Sequence, residues 1–344
     1  MDYVELHAHS SYSLLDGASH PEELVARAAA LGMPALALTD HDAVYGAPAF
    51  QRAASEQGIR PVFGAELTLA GGHHLTLLVE ERSGWHNLCY LVSRAQHAAA
   101  KGEAFLSPAE LVGCTGGLIA LSGCRQGAIA TALRQGRRRQ ALAIARRTLR
   151  LFGRQNFWME LQNHLLPGDA RLQRELASLA AYLGVGCVAT NNVHYAEPAA
   201  RRLQDVMVCI RHLTSLDACR ALRLNAEYYL KPAGEMQALF PEHPEALANT
   251  LRLAERCQFE LAFGVQELPQ YPTGGMSSSA YLRRLCELAL EERFAPTDEQ
   301  ARAQLLHELA VIERAGLANY FLVVWDIMRC AREKGILGQG RGSA

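Results

Sequence analysis

The chain has 344 residues, of which 49% are apolar and 20% charged, with a formal net charge of −1. This describes a globular chain of one large or two ordinary domains, and it gives no support to nucleic-acid binding by the surface as a whole. No secretory leader opens the sequence, and no apolar run is long enough to span a bilayer. The nine cysteines form no C-x-x-C pair, so reduced thiols, a cytoplasmic setting and no membrane are expected.

Taken in chain order, short apolar runs alternate with helical patterns. Strands are expected at Val4–His9, Ala35–Thr39, Val62–Leu69, Leu75–Glu80, Leu118–Ser122, Phe157–Gln162 and Gly186–Thr190. Helices are expected at Pro21–Leu31, with a proline in the first turn, and at Ala47–Gln57, His86–Ala99, Ala128–Leu133, Gln140–Phe152 and Arg171–Leu183. The repeated strand-then-helix order predicts an α/β fold on a parallel sheet, either open or closed into a barrel. The run L-P-Q-Y-P-T-G-G-M-S-S-S reads as a linker over 268–279. Beyond it, helical patterns occupy Tyr281–Arg293 and Glu299–Ala315, followed by Y-F-L-V-V-W-D-I-M-R-C-A-R-E-K-G. The final Q-G-R-G-S-A reads as a turn leading onward, so the chain is expected to be a truncated piece of a longer protein.

The strand ends carry the chemistry. Val4–His9 alternates as a strand does, which would aim His7 and His9 the same way. Asp16 follows in a turn. Asp40 and His41 end the second strand, Glu66 lies in the third, and His73 and His74 begin the fourth. Cys124 follows the fifth, and Asn191, Asn192 and His194 follow the seventh. In parallel β/α folds the carboxyl ends of strands are where active-site residues gather. His74, at a strand start, fits only if its strand runs the other way. Each residue alone has a plainer reading: Cys124 as a small buried hydrophobe, Glu66 as a surface carboxylate, His74 as a solvent-facing neighbour of His73, Asp16 as a turn former. Asp40 is assigned a hydrogen bond to a neighbouring loop. Together, imidazoles, carboxylates and a thiol from separate segments point to metal. Their number exceeds the needs of one tetrahedral ion and suggests two or three, of the Zn, Mn or Fe type. Clustered divalent ions suit phosphate-ester hydrolysis.

One stretch stands apart. Between Leu111 and Met159 there is no Asp or Glu, while Arg125, Arg134, Arg137, Arg138, Arg139, Arg146, Arg147, Arg150 and Arg154 all fall there. The plain reading is a solvated helix face; a stripe facing a phosphate backbone or a partner is the alternative.

His7-Ala8-His9, Leu15-Asp16-Gly17, Thr39-Asp40-His41, Gly64-Ala65-Glu66, His74-Leu75-Thr76, Leu121-Ser122-Gly123-Cys124 and Thr190-Asn191-Asn192-Val193-His194 resemble, in order, the motifs of the PHP (polymerase and histidinol phosphatase) domain. The version here resembles that of bacterial C-family DNA polymerases, with G-W-H-N-L-C-Y-L-V-S-R-A and Glu227–Phe240 also in common. Asn319–Ala344 resembles the start of their palm.

The resemblance implies a distorted seven-stranded, TIM-like β/α barrel over 1–267, the linker 268–279, and a mostly helical start of a palm over 280–344. It implies a metal cage of His7, His9, Asp16, His41, Glu66, His74, Cys124 and His194, with no separate catalytic residue. The ninth ligand of the family is an aspartate, and that position holds Asn192. Gly340, Arg341, Gly342 and Ser343 would touch the nucleotide triphosphate through a glycine-rich anion nest. The implied cofactors are two or three divalent ions, Zn or Mn ahead of Fe, with Mg at the polymerase site. Implied partners are DNA primer-template and deoxynucleotides, and a sliding clamp and mutagenesis accessory proteins by family alone. T-N-N-V-H-Y, where replicative members carry T-N-D or T-G-D before x-H, places the chain nearest the error-prone branch, which serves damage-induced translesion synthesis. Q-G-R-G-S-A, in place of G-P-G-R-G-S-G, agrees. Three roles compete: a 3′–5′ exonuclease, a structural platform for the polymerase, and a free-standing phosphatase of the histidinol-phosphate type, against which the palm-like tail counts. The palm aspartates are not among these residues, so no nucleotide addition by this chain is expected.

Overall fold

The computed structural model describes residues 3–100, 104–218, 225–262, 268–294 and 298–338. The chain divides into two units, Met1–Leu261 and Ala262–Ala344.

The first unit is built on one curled sheet of six strands in sequence order, a half-barrel. They are β1 (Ala35–Leu38), β2 (Arg60–Leu69), β3 (His73–Val79), β4 (Leu118–Leu121), β5 (Phe157–Leu161) and β6 (Cys187–Ala189). Helix α1 (Pro21–Ala30) precedes β1, and α2 (Ala47–Gln57), α3 (Arg82–Ala98), α4 (Ala128–Arg134), α5 (Arg138–Phe152) and α6 (Asp169–Leu183) separate the strands everywhere except between β2 and β3, much as their apolar periodicity predicts. Pro21 opens α1 with a capping box closed by Glu23.

Both faces of the sheet are covered, and the two-residue strand period sorts them. Leu36, Leu38, Phe63, Leu77 and Ala120 pack outward under the helices. Val62, Leu78, Ile119, Leu121 and Val188 pack on the other face with Leu253 and Ala254.

Three expectations are corrected. The sheet is not wholly parallel: β3 pairs antiparallel with both β2 and β4, while β1–β2, β4–β5 and β5–β6 are parallel. Only Ala70, Gly71 and Gly72 separate β2 from β3, too few for a crossover, and both glycines have positive φ. Second, the seventh strand is not found among the described residues. Val4–His9 is extended but makes a single parallel bridge, Ala8 to Val193. Its hydrogen bonds explain why: Ala37 N donates to Glu5 O, and Thr39 N to Ala8 O. Three residues advance against two, a bulge that breaks the ladder and switches the face on which the side chains lie. Leu6 packs on one side of the sheet and Ala8 on the other. Third, α7 (Arg201–Arg211), α8 (Ala233–Leu239) and α9 (Pro244–Arg256) are additional helices.

The second unit contains α10 (Ser278–Arg293), α11 (Glu299–Arg314) and α12 (Ala318–Glu333). Ser277 and Asp298 cap the first two by accepting from Ala280 N and Ala301 N. Leu282, Leu309, Ala318 and Leu322 form its core. Gly340, Arg341, Gly342 and Ser343 lie outside the described residues.

Candidate metal centre

The antiparallel β3 brings the start of that strand level with the carboxyl ends of its neighbours. His41 follows β1, Glu66 lies within β2, His74 opens β3, Cys124 follows β4, and Asn192 and His194 follow β6. The bulged N-terminal segment adds His7 and His9, and the turn after it adds Asp16. Two glycines permit close approaches here. A Cβ on Gly17 would lie 2.0 Å from Ser10 O, and one on Gly123 would lie 2.4 Å from His74 O. A side chain at either position would displace Asp16 or Cys124.

All nine predicted residues converge. Glu66 is central: its carboxylate oxygens lie 3.3 Å from His7 Nε2, 3.6 Å from His9 Nε2, 3.3 Å from His41 Nδ1 and 3.0 Å from His74 Nδ1. Asp16 Oδ2 lies 3.0 Å from His41 Nε2 and 3.4 Å from His194 Nε2. Cys124 Sγ is 3.4 Å from His74 Nδ1, and Asn192 Oδ1 is 3.0 Å from His9 Nε2. Three sets of ligand atoms, from His7, His9 and Glu66, from His9, His41 and His194, and from His41, Glu66 and His74, each fall within 4.8 Å of one another. Adjacent sets share a residue. His73 stays apart at the surface, near Gln126 O.

The outer partners of the imidazoles fix which nitrogen faces inward. His7 Nδ1 donates to Glu160 at 2.6 Å, leaving the Nε2 lone pair toward Glu66. His194 Nδ1 donates to Asn192 O at 2.8 Å, leaving Nε2 toward Asp16. His9 Nδ1 lies 3.3 Å from Ser13 Oγ, which itself donates to Asp40 Oδ1 at 2.7 Å. Asp40 also accepts from Ser10 N and Ser10 Oγ. It therefore holds the loop as the sequence suggested, and through Ser13 it also orients His9.

Such an inward array of lone pairs fits a divalent cation. His7 Nε2 and His9 Nε2 face each other at 3.2 Å, and neither Glu66 oxygen receives an aligned hydrogen bond although both are buried. Acceptors buried against acceptors are costly unless a cation lies between them. Protons can partly take that part. Burial favours neutral groups, but His74, His7 and His41 outweigh it at Glu66 and hold its carboxyl well below the usual range. Burial would likewise lower His7, but Glu160 and Glu66 raise it well above the ordinary histidine value. Burial, with His41 and His194 beside it, pushes His9 well down. Burial, reinforced by Glu66, pushes the Cys124 thiol well up.

The sequence reading missed Glu160. It is fully buried in β5, where it also accepts from Thr190 Oγ1 and Gln162 Nε2. A single carboxylate inside the apolar run F-W-M-E-L was its signal. The cluster opens into a cavity of about 380 Å³ whose lining adds Arg125, Arg134, Arg211 and Tyr228 to the carboxylates Asp16, Asp42, Glu66 and Asp205, so guanidiniums stand beside the ligand cluster where a phosphate would lie.

Residues 5–164 match the family described as PHP domain, and residues 280–344 that described as bacterial DNA polymerase III alpha NTPase domain. An error-prone DNA polymerase of Symbiobacterium thermophilum is 45% identical over 100% of this chain and 33% of its own length. The DNA polymerase III subunit alpha of Treponema pallidum is 38% identical over 100% of this chain and 31% of its own. An error-prone DNA polymerase of Mycobacterium bovis is 40% identical over 99% and 33%. The chain thus spans about a third of the length of the curated relatives it matches. It carries a PHP domain at residues 5–164 and, at residues 280–344, a segment that matches bacterial DNA polymerase III alpha, and along its whole length it is similar to part of error-prone and polymerase III alpha chains.

Proposed function

We propose that this chain is part of an error-prone DNA polymerase serving damage-induced translesion synthesis, and that its PHP centre is a multi-metal phosphoesterase site of weak 3′–5′ exonuclease action. The observation that carries the second half is the convergence of His7, His9, Asp16, His41, Glu66, His74, Cys124 and His194 on shared positions, with Asn192 the one neutral amide among them. In this reading residues 1–267 form the PHP domain, 268–279 the linker, and 280–344 the start of the palm. Gly340, Arg341, Gly342 and Ser343 would touch the nucleotide triphosphate. Primer-template DNA and deoxynucleotides are then the substrates, and a sliding clamp and mutagenesis accessory proteins the partners.

When bound, divalent ions of the Zn, Mn or Fe type would supply Lewis-acid activation of a phosphate ester and of the attacking water. The chain's own residues hold and orient. Glu66 bridges neighbouring ligand sets, Glu160 and Ser13 set the histidine tautomers, and Arg125, Arg134 and Arg211 present positive charge to a phosphate. Asn192 can offer a carbonyl oxygen but no negative charge. A second reading rests on that residue: a centre that has lost turnover and serves as a platform for the polymerase.

Digestion of single-stranded DNA labelled at its 5′ end, in the presence of Mn, separates the two. Slow shortening from the 3′ end, abolished by His9→Ala and accelerated by Asn192→Asp, supports the hydrolytic reading. No shortening by either wild type or Asn192→Asp, with metal bound in both, leaves the platform.

A further inference from the structure

We infer that the groove between α5 and α6 is a docking surface for single-stranded nucleic acid, separate from the metal centre. The choice of nucleic acid over other polyanions rests partly on the polymerase reading above; the surface itself rests on charge and shape.

Helix α5 turns Ala141, Ala145 and Phe152 into the core. At about 100° per residue, Arg139, Arg146 and Arg150 fall on one exposed side, in a row about 16 Å long. Arg138 and Arg147 flank it, and both are exposed. A solvated face normally interleaves opposite charges at helical spacing. Among the described residues α5 makes one ion pair, Arg138 Nη2 to Glu175 Oε1 at 3.1 Å. The same oxygen also takes Arg171 Nε at 3.0 Å, so one carboxylate serves two guanidiniums. Arg174 adds a further exposed positive charge on α6. Such a concentration of like charge repels itself and is relieved by a polyanion.

Shape narrows the polyanion. The groove encloses about 610 Å³, lined by Leu133, Leu142 and Leu179 with Arg138, Arg171, Arg174, Glu175 and Tyr182, and the Arg139–Arg146–Arg150 row runs beside it, Arg146 reaching its edge at Tyr182. Tyr182 is 67% exposed, so its ring is open to solvent beside the groove. Arg146 Nη2 donates to Tyr182 OH at 3.1 Å, and its guanidinium carbon lies 5.8 Å from the ring centroid. A basic groove beside an open aromatic ring suits a strand whose phosphates lie on arginines while a base stacks on the ring. A duplex keeps its bases stacked away from such a ring, and an acidic peptide has no base to stack on it.

The test is fluorescence anisotropy of a labelled oligothymidylate with the full 344-residue chain across a KCl series. Arg138→Gln/Arg146→Gln/Arg174→Gln, two arginines of the groove and one at its edge, is expected to flatten the slope of log K against log salt by about 2, at roughly 0.7 per phosphate contact on a single strand. Tyr182→Ala is expected to weaken binding about tenfold at fixed salt while keeping the slope. Because these side chains are exposed, both variants should keep the wild-type melting curve; should the triple variant misfold, the Tyr182→Ala result decides. Unchanged binding and slope in the folded variants would overturn the inference. So would displacement of the strand by polyglutamate as effectively as by unlabelled oligothymidylate. Metal uptake by the same preparations is read separately, so a chain that takes up metal but does not bind the strand loses this inference alone.

Discussion

His7 Nδ1 lies 2.6 Å from Glu160 Oε1, and both side chains are completely buried. The pair makes Nε2 of His7 the free acceptor, on the side where Glu66 and His9 converge. Glu160→Gln keeps the shape but removes the charge that holds the proton on Nδ1. Loss of such an outer partner typically costs 10–100-fold in metal affinity. Titration against a chromophoric chelator should show a drop of about that size for Zn, with the fold retained by circular dichroism. Equal affinity in the two proteins would make Glu160 a packing residue only.

Asn192 Oδ1 stands 3.0 Å from His9 Nε2, where an aspartate would add a negative charge beside the bound cations. At an effective dielectric of about 20, a charge some 4 Å away is worth roughly 4 kcal/mol before desolvation. Asn192 already adopts positive φ, and Asp tolerates that region almost as well. Asn192→Asp should therefore raise the number of ions retained through gel filtration, or tighten the weakest of them at least tenfold. The expectation fails if the wild type already retains three ions that resist exchange and the variant is no tighter.

How much of this was legible in the sequence depends on the kind of signal. His7, His9, His41, Glu66, His74 and His194 announce themselves because imidazoles and carboxylates recur at the ends of apolar runs. The direction of β3 does not follow from its side-chain alternation, which is the same either way along a strand. The short Ala70-Gly71-Gly72 connection was the available sign, and His74 at the strand start was its consequence. The bulge between Glu5 and Ala8 is a hydrogen-bond register, invisible in a pattern that alternates regularly. Glu160 was hidden by its neighbours, since an apolar strand reads as core and its one acid passes as a defect. Helix α8 is only seven residues long, too short for periodicity to show. Helix α9 carried Pro244 in its first turn and apolar residues at helical spacing, so its signal was present and unused.

The His164 imidazole is buried, donates from Nε2 to Asn191 O at 2.8 Å and stacks on Tyr228 with centroids 4.1 Å apart. Burial pushes its pKa from 6.5 down to about 3, against the raising effect of the Asn191 carbonyl. The folded chain thus holds this group neutral, and the unfolded chain protonates it below about 6.5. Its contribution to stability is complete above pH 6.5 and declines as pH falls toward about 3, at up to roughly 1.4 kcal/mol per pH unit. Urea unfolding of the chelated chain should show His164→Asn clearly less stable than wild type at neutral pH, with the gap narrowing in acid. A gap that stays constant or widens in acid would contradict the neutral imidazole.

Thiol reactivity checks the packing independently. Cys257 is buried, and burial together with Glu80 pushes its pKa up to about 12, while Cys330 is exposed on α12. Iodoacetamide near neutral pH should label Cys330 first, with Cys257 labelled only on unfolding. Mass spectrometry of the peptides reads the order, and early labelling of Cys257 would mean that α9 does not seal its face of the sheet.

The most direct test of the account is the metal content of the chain purified without chelators, measured by elemental analysis together with the melting temperature before and after chelation. The account predicts more than one ion of the Zn, Mn or Fe type per chain, one of them readily lost, because so many ligands exceed what a single ion takes. It also predicts a melting temperature that falls on chelation and recovers on adding metal back. A chain that carries no metal, takes up none, and melts identically with and without chelator would contradict it.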